Sequence, residues 1–348
     1  MLRMRSAMMS IISVITIIKR RRSRLLAALI GMWLIALTAG CGPLGELLNP
    51  APGVMEEWAG LLNEIRAFER TLGFAPTANF AALSREQSEF PFCGFAPRLI
   101  LPYSYEDPAI IWADAKTEQE CHARGGDADV YFGAVEAWGE SATPVTPAMI
   151  TGKLDRFIYL VIHEDCHDQF DLPYGIEEAL CNLITYKAMD AFAAQKYGSY
   201  ARERRAVQRY ADTQSDNTRA TITYYERLAT VYAQYDRGET SADRLMRERG
   251  EILQTAAKQL AWTQGDASSV RIANNMTYSR HYPFLEYVFD TLGRDTTRTV
   301  AFFKRVDAAK PSRETVIARH GEAGVDAIRA YETAVMAAIS AALAADRR

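Results

Sequence analysis

One helical segment, residues 154–169, restricts this chain more than any other feature of its sequence. Its apolar residues recur at helical spacing and predict a buried helix: Leu154, Phe157, Ile158, Val161 and Ile162. His163 and His167, four residues apart, project from one face of such a helix, so both imidazole rings can reach the same metal ion. Glu164, beside the first histidine, can reach water at that ion. The segment therefore predicts a zinc site of the HExxH type.

A catalytic zinc ion normally has three protein ligands, so the motif requires one more. The segment that begins at Gly175 resembles the helix of thermolysin-like enzymes in which a glutamate ligand is followed, four residues later, by an acid or an amide. Glu178 is then the predicted third ligand, and Asn182 the predicted hydrogen-bond partner of a ligand histidine. Glu177 is the rival ligand, or else a favourable carboxylate at a helix start. The spacing to Asn182 favours Glu178.

The amino-terminal 40 residues differ from the rest of the chain in their balance of basic and acidic residues. Of the 40 Lys and Arg residues, seven lie in residues 1–40, which contain no Asp or Glu. The remaining sequence carries 33 basic against 43 acidic residues. Because such a sequence has no basic footprint for phosphate backbones, we expect no nucleic-acid partner.

The first 40 residues have the organisation of a signal peptide, with a basic block at 19–24 followed by an apolar run at 25–39. That run is too short for a comfortable membrane span. Residues 37–41, Leu-Thr-Ala-Gly-Cys, resemble the lipobox of bacterial lipoproteins. We therefore expect lipidation of Cys41 and a membrane anchor that faces the periplasm, and Gly42 favours the outer membrane. An uncleaved signal anchor is the alternative.

The other four cysteines are an even number in a chain that is expected to mature in an oxidising compartment. Their order along the sequence suggests that Cys93 pairs with Cys121 and that Cys166 pairs with Cys181. Free thiols are the alternative.

The predicted organisation is a signal peptide at 1–40, a tether at 41–53 and a single domain at 54–348. Within the domain, residues 54–150 predict a helix that ends at Gly73 and a small sheet with strands at Arg98–Leu101, Ala109–Trp112 and Asp129–Trp138. Residues 151–348 are helical throughout in pattern, with long helices near 201–236, 241–262, 266–292 and 312–345. The predicted fold class is α+β and mostly helical, with a small sheet upstream of the HExxH helix and a helical carboxy-terminal half.

Short motifs in a fixed order carry a family resemblance: Glu64-Ile65-Arg66-Ala67-Phe68, Leu72-Gly73-Phe74, Gly126-Asp127-Ala128-Asp129-Val130-Tyr131, Ala137-Trp138, Asn274-Asn275-Met276, Tyr278, Tyr282 and Phe302-Phe303. Together with HExxH and the glutamate helix, they make the chain similar to a bacterial family of predicted zinc aminopeptidases, many of which are lipoproteins. The resemblance implies a Zn²⁺-dependent hydrolase that acts on peptides and cleaves from the amino terminus. Residues 138–142 depart from the family pattern, which leaves substrate preference open.

The same resemblance suggests further site residues. The strand at Asp129–Trp138 stands where thermolysin-like enzymes place an edge strand that pairs with substrate backbone. Glu136 looks like the glutamate that binds the substrate ammonium in several zinc aminopeptidases, although a solvent-facing carboxylate is the alternative. Tyr278 and His281 are candidate donors to the oxyanion, against the alternatives of a core aromatic residue and a structural histidine.

These residues give an expected mechanism in which Glu164 takes a proton from water and returns it to the leaving amine. Two alternatives stay open: a non-catalytic lipoprotein that keeps zinc as a structural clamp or presents a binding surface, and an endopeptidase for cell-wall peptides or envelope proteins. The presence of Glu164 argues against the non-catalytic lipoprotein, because a structural zinc site needs no general base. A requirement for a free substrate amine separates an aminopeptidase from the second.

Overall fold

The computed structural model describes residues 52–84, 89–137, 142–262, 267–320 and 323–347, within a compact unit that extends from Pro50 to Arg348. The predicted signal peptide, Cys41 and most of the predicted tether lie outside the described residues. The elements in chain order are α1 (Pro52–Leu72), β1 (Phe90–Ala96), β2 (Ile111–Ala113), α2 (Glu118–Gly125), β3 (Asp129–Val135), α3 (Pro147–Thr151), α4 (Leu154–His167), α5 (Tyr174–Tyr197), α6 (Arg202–Asp236), α7 (Ala242–Gln259), α8 (Ser269–Ser279), α9 (Tyr282–Thr291), α10 (Thr296–Ala309), α11 (Arg313–His320) and α12 (Val325–Asp346).

The predicted fold class is confirmed. Most described residues are helical, the carboxy-terminal half is made of helices, and a small antiparallel sheet precedes the HExxH helix. The sheet has the order β2-β1-β3, so β3 lies at an edge. In the register of the two ladders, Cys93 of β1 lies opposite Phe132 of β3 and Ala113 of β2.

The strand predictions were partly wrong. Arg98–Leu101 is a turn, in which the Ile100 amide donates to the Pro97 carbonyl at 3.1 Å. The central strand β1 was missed because Pro91 and Gly94 are residues that usually interrupt strands. Gly94 is required there, since a Cβ atom at this position would lie 2.5 Å from the Trp112 ring on the neighbouring strand.

The helix ends follow backbone chemistry that the sequence revealed only in part. Gly73 ends α1 with φ +89°, as its position predicted. The helix predicted near 266–292 is instead two helices, because Pro283 starts a new one in the first turn of α9. The segment near 312–345 also divides, into α11 and α12, before Gly324 at φ +64°.

The α4–α5 pair lies at the centre of the main hydrophobic core, which also includes residues of α1, α9, α10 and α12. A second core joins α6, α7 and α8. By length and composition α12 could cross a membrane, but it packs Val335, Ile339 and Leu343 into the main core. The HExxH segment is thus held by packing on several sides.

Both predicted disulfides are present. Cys93–Cys121 joins β1 to α2. Cys166–Cys181 joins α4 to α5, next to His167 on one helix and one turn after Glu178 on the other. This second bridge therefore holds together the two helices that carry the predicted metal ligands.

Replacing Cys166 and Cys181 together with Ala is expected to lower the free energy of unfolding by about 3 kcal/mol, because the bridge closes a loop of 15 residues. Urea unfolding of the oxidised protein measures the change. The Cys93→Ala/Cys121→Ala variant is the comparison: its bridge closes a loop of 28 residues, so its loss should lower the free energy of unfolding by at least as much. Equal stability of wild type and the Cys166/Cys181 variant would contradict the expectation.

Candidate metal centre

Three buried side chains converge between α4 and α5. His163 and His167 stand one turn apart on α4, and Glu178 lies in the second turn of α5. His163 Nε2 and His167 Nε2 are 3.3 Å apart, and Glu178 Oε2 lies 3.3 Å from each of them. The three atoms form a nearly equilateral triangle, so each side chain offers one ligand atom to a common point.

The size of this triangle fits a tetrahedral ion. When metal–ligand bonds are about 2.0–2.1 Å long, two ligand atoms of a tetrahedron are about 3.3–3.4 Å apart. Glu178 Oε2 is buried and has no hydrogen-bond donor among the described residues, despite its closeness to both rings. A buried carboxylate oxygen without a donor is costly unless a cation compensates it. The three residues therefore fit a metal ion.

Glu177 is tied to one of the histidines instead of joining the triangle. Its Oε1 lies 3.0 Å from His167 Nδ1, and its Oε2 accepts from the Leu172 amide at 2.8 Å. A carboxylate at Nδ1 keeps the proton on that nitrogen and leaves the lone pair of Nε2 for a metal. The geometry thus favours Glu178 as the ligand, and Glu177 is placed to orient the His167 ring.

Asn182 has a different partner from the one predicted. Its Oδ1 accepts a hydrogen bond from the Tyr159 hydroxyl at 2.8 Å, and the Tyr159 ring stacks on His163 with centroids 5.0 Å apart. The contact of Asn182 with the histidines is therefore indirect, through the Tyr159 ring that stacks on His163. His163 Nδ1 is buried without a hydrogen-bond partner among the described residues.

Electrostatics at the cluster favour a cation. Burial opposes ionisation of Glu178, but the positive charges of His167 and His163, each 3.3 Å from its Oε2, lower the pKa of its carboxyl far below the usual range. Burial likewise opposes charge on His167, yet Glu178 and Glu177 raise the pKa of its imidazole well above the usual value. The two carboxylates thus stabilise positive charge at this point, which a metal ion can supply.

Glu164 is buried next to the triangle. Burial raises the pKa of its carboxyl, although His163 and His167 act in the opposite direction. The backbone here is held in place by Asn79, whose amide donates to the Glu164 carbonyl at 3.0 Å. A carboxylate with a raised pKa is a better proton acceptor near neutral pH than an exposed one.

Of the two candidate oxyanion donors, Tyr278 is the one in contact with the cluster. Its ring centroid is 6.4 Å from that of His163. The Tyr278 hydroxyl interacts electrostatically with Tyr174 and Glu178, and Glu178 also acts on Tyr174. Burial and the charge of Glu178 raise the pKa of Tyr278 well above 10, so the phenol keeps its proton and can donate it in a hydrogen bond.

His281 belongs to a neighbouring polar cluster. Its Nε2 lies 3.1 Å from Glu332 of α12, which also accepts from the Tyr103 hydroxyl at 2.7 Å. The guanidinium of Arg280 covers the Tyr103 ring at 3.7 Å. These contacts connect the α8–α9 junction, just after Tyr278, to the last helix.

The Glu332 cluster predicts a pH-dependent stability. Burial would raise the pKa of this carboxyl, but the hydrogen bonds and charge of His281, with Tyr103 and Arg280, lower it overall. The ionised carboxylate therefore stabilises the fold above the usual carboxyl range, and the contribution is lost as the pH falls through the lowered pKa. We expect Glu332→Gln to destabilise the protein by about 2–3 kcal/mol at pH 7, and by much less in acid. Urea unfolding at both pH values tests this; a difference that is independent of pH would contradict it.

Glu136 forms a bidentate pair with Arg156, with contacts of 3.0 and 2.7 Å. The Arg156 guanidinium lies 5.0 Å from the centroid of the Tyr159 ring, which in turn stacks on His163. Both oxygens of Glu136 are thus engaged by a cation of the protein itself. The role suggested for Glu136 at a substrate ammonium stays a prediction, to which the structure adds this competing partner.

Two residues of the site were not found from the sequence, namely Tyr159 and Tyr174. Both carried a signal in their spacing, since Tyr159 precedes His163 by four residues and Tyr174 precedes Glu178 by four. On a helix such residues share a face with the ligand. The role of Glu177 at His167 was also missed.

Comparison with known proteins gives one family match. The sequence model of a family described as "Putative aminopeptidase" matches residues 112–317, which include α4, α5 and α8. No curated protein and no solved structure matches the chain. The match covers more than half of the sequence and contains the whole His163–His167–Glu178 cluster. The chain therefore belongs to the putative aminopeptidase family.

Proposed function

We propose that this protein is a zinc-dependent aminopeptidase. The observation that carries the proposal is the triangle of His163, His167 and Glu178, with a buried glutamate beside it, in a chain of the aminopeptidase family. An aminopeptidase needs an activated water, a base and a donor to the oxyanion, and candidates for each are adjacent in this cluster.

The choice of zinc rests on the ligand set. Two imidazole nitrogens and one carboxylate oxygen are the ligands of catalytic zinc in several hydrolase families, and the fourth position is left for water. Calcium and magnesium prefer sites made of oxygen atoms alone. The contact of Glu177 with His167 supplies the outer partner that ligand histidines usually have.

In the proposed mechanism, His163, His167 and Glu178 would hold a divalent ion, which would supply Lewis acidity to water and to the substrate carbonyl. Glu164 accepts a proton from the attacking water at its carboxylate and then transfers it to the nitrogen of the leaving amine. The Tyr278 hydroxyl donates a hydrogen bond to the oxygen of the attacked carbonyl as negative charge develops there.

The sheet provides a place for the substrate backbone. Within the described residues β3 pairs on one side only, with β1, so it is an edge strand. It also contacts α8, the helix that carries Tyr278. An extended peptide can add to such an edge through main-chain hydrogen bonds, which bind peptides of many sequences.

Hydrolysis of a panel of aminoacyl-anilides by the zinc-loaded protein tests the proposal. Each anilide is paired with its N-acetylated form, and Glu164→Gln is the inactive control. We expect the free-amine substrates to be cleaved and the acetylated ones to resist cleavage. The absence of hydrolysis in a protein with stoichiometric zinc would contradict the proposal and favour a structural metal site.

An endopeptidase is the second candidate, favoured by the pairing of Glu136 with Arg156. If that carboxylate is engaged by the protein, it does not serve a substrate ammonium. Cleavage of acetylated internal peptides at rates comparable with free-amine substrates would support this candidate. If the protein is an endopeptidase, Glu136→Gln and Arg156→Gln should have similar effects on all substrates.

We further propose a lipid anchor at Cys41, on the sequence pattern alone. Metabolic labelling with palmitate, followed by fractionation, tests it. Label that enters the wild type and not Cys41→Ala, together with release of the variant from the membrane, would support the anchor. Equal labelling of both proteins would contradict it.

A further inference from the structure

A cavity of about 290 Å³ adjoins the metal centre. It shares Tyr159, Asn182 and Tyr278 with the surroundings of His163 and extends from there between α5, α6 and α8. Its volume is close to the lower end for small-ligand sites, so it suits one or two residues of a peptide. If the peptide bond is cleaved at the metal centre, the neighbouring residues of the substrate lie beside this cavity, so its lining affects which substrates bind.

The wall of the cavity is polar. Four residues of α6 line it at helical spacing, each with an amide or hydroxyl group: Gln214, Asn217, Thr218 and Thr221. Leu260 and Trp262 are the two apolar side chains among the described residues that line it. A large aliphatic side chain would leave these polar groups without partners, which is unfavourable. The cavity therefore favours a hydrogen-bonding group of the substrate.

Arg271 is the one charged residue among the described residues that line the cavity. Its guanidinium lies over two aromatic rings, 4.7 Å from the centroid of Trp262 and 5.3 Å from that of Tyr131. Such stacking fixes the plane of the guanidinium and directs its donors sideways. Tyr131 belongs to the edge strand β3, so the fixed cation stands next to the proposed path of the peptide backbone.

The position of Arg271 relative to the reacting bond follows from helix geometry. Arg271, Asn275 and Tyr278 are spaced so that they share one face of α8. Tyr278 follows Arg271 by seven positions along the helix, a rise of about 10 Å. An extended peptide covers that distance in about three residues.

We propose that Arg271 is a specificity-determining residue that binds a carboxylate of the substrate within about three residues of the scissile bond. The inference rests on the proposed peptidase function and names its substrate class: peptides that present either an acidic side chain or a free carboxyl terminus at that position. A planar guanidinium accepts a carboxylate through two parallel hydrogen bonds, which a neutral amide does not reproduce.

Two pairs of peptides that differ in one group test the proposal and distinguish the sources of the carboxylate. Ala-Ala-Glu-Ala-amide is compared with Ala-Ala-Gln-Ala-amide, and free tetra-alanine with its carboxy-terminal amide. We expect kcat/KM to favour the carboxylate in at least one pair by about 10- to 100-fold. In Arg271→Gln that ratio should fall close to one, while Arg271→Lys should keep part of it.

Arg227→Gln is the matched control. Arg227 is exposed on α6 and also lies over a tyrosine ring, 5.5 Å from the centroid of Tyr224, but it does not line the cavity. The preference should be unchanged in this variant. A wild type without carboxylate preference in either pair, or an Arg271→Gln variant that keeps the preference, would overturn the proposal.

Binding measurements separate this proposal from the proposed function. Titration calorimetry of the same peptides with Glu164→Gln protein, alone and combined with Arg271→Gln, reports affinity without turnover. A carboxylate preference in binding that depends on Arg271, without hydrolysis by the wild type, would uphold the cavity assignment and reject the peptidase. Hydrolysis without any carboxylate preference would uphold the peptidase and reject the cavity assignment.

Discussion

Glu164→Gln is expected to lower kcat for peptide hydrolysis by about 10²- to 10⁴-fold, the usual contribution of a general base. Gln keeps the size of the side chain but cannot accept and return a proton. Because Glu164 is not one of the three ligands in the triangle, the variant should bind the same amount of zinc as the wild type. Steady-state kinetics and elemental analysis of the same samples measure both quantities.

Glu226→Gln, an exposed change on α6, is a control for the loss of one negative charge. It should leave both kcat and zinc content unaltered. A nearly normal kcat in Glu164→Gln would show that Glu164 is not the general base, and so would contradict the proposed mechanism. A variant that lost its zinc would instead show that Glu164 takes part in binding the metal.

Glu178→Ala should weaken zinc binding by more than about 100-fold, since even partners outside the ligand shell contribute about 10- to 100-fold. The variant removes one corner of the triangle and leaves the two histidines alone. Hydrolysis should fall in parallel with zinc content. Competition of the protein with a chelator of known affinity measures the change.

Glu177→Ala is the matched variant, because the two glutamates are adjacent, equally buried and equally charged. It removes the contact at His167 Nδ1 and should weaken zinc binding by about 10- to 100-fold. Affinity should thus fall further in Glu178→Ala than in Glu177→Ala. The opposite order would make Glu177 the third ligand.

The sequence indicated the three residues that the fold brings together, His163, His167 and Glu178, because their arrangement is local. The two histidines are four residues apart on one helix, so they share a face. Glu178 was preferred over Glu177 through its spacing to Asn182, although Asn182 contacts Tyr159 instead of a histidine of the cluster. The mostly helical fold and both disulfides also followed from local patterns and from the order of the cysteines. The contacts of the three clustered residues and of Cys166–Cys181 depend on helices that apolar periodicity had already indicated, whereas Cys93–Cys121 joins a strand and a helix that the sequence did not reveal.

Partners from distant parts of the chain were not accessible in this way. The Tyr159 hydroxyl meets Asn182 from another helix, and Glu332 reaches His281 from the end of the chain. Such pairs depend on how helices pack, which spacing alone does not determine. Strand β1 was missed for a related reason. Gly94 argued against a strand in the sequence, but its lack of a side chain leaves room for a tryptophan on the neighbouring strand.

The most direct test of the account is a crystal structure of the zinc-loaded protein, with anomalous diffraction recorded on both sides of the zinc absorption edge. We expect one strong anomalous peak about 2.0–2.2 Å from His163 Nε2, His167 Nε2 and Glu178 Oε2. A zinc peak bound elsewhere in the protein, or none in a fully loaded sample, would contradict the assignment of this cluster as the metal centre.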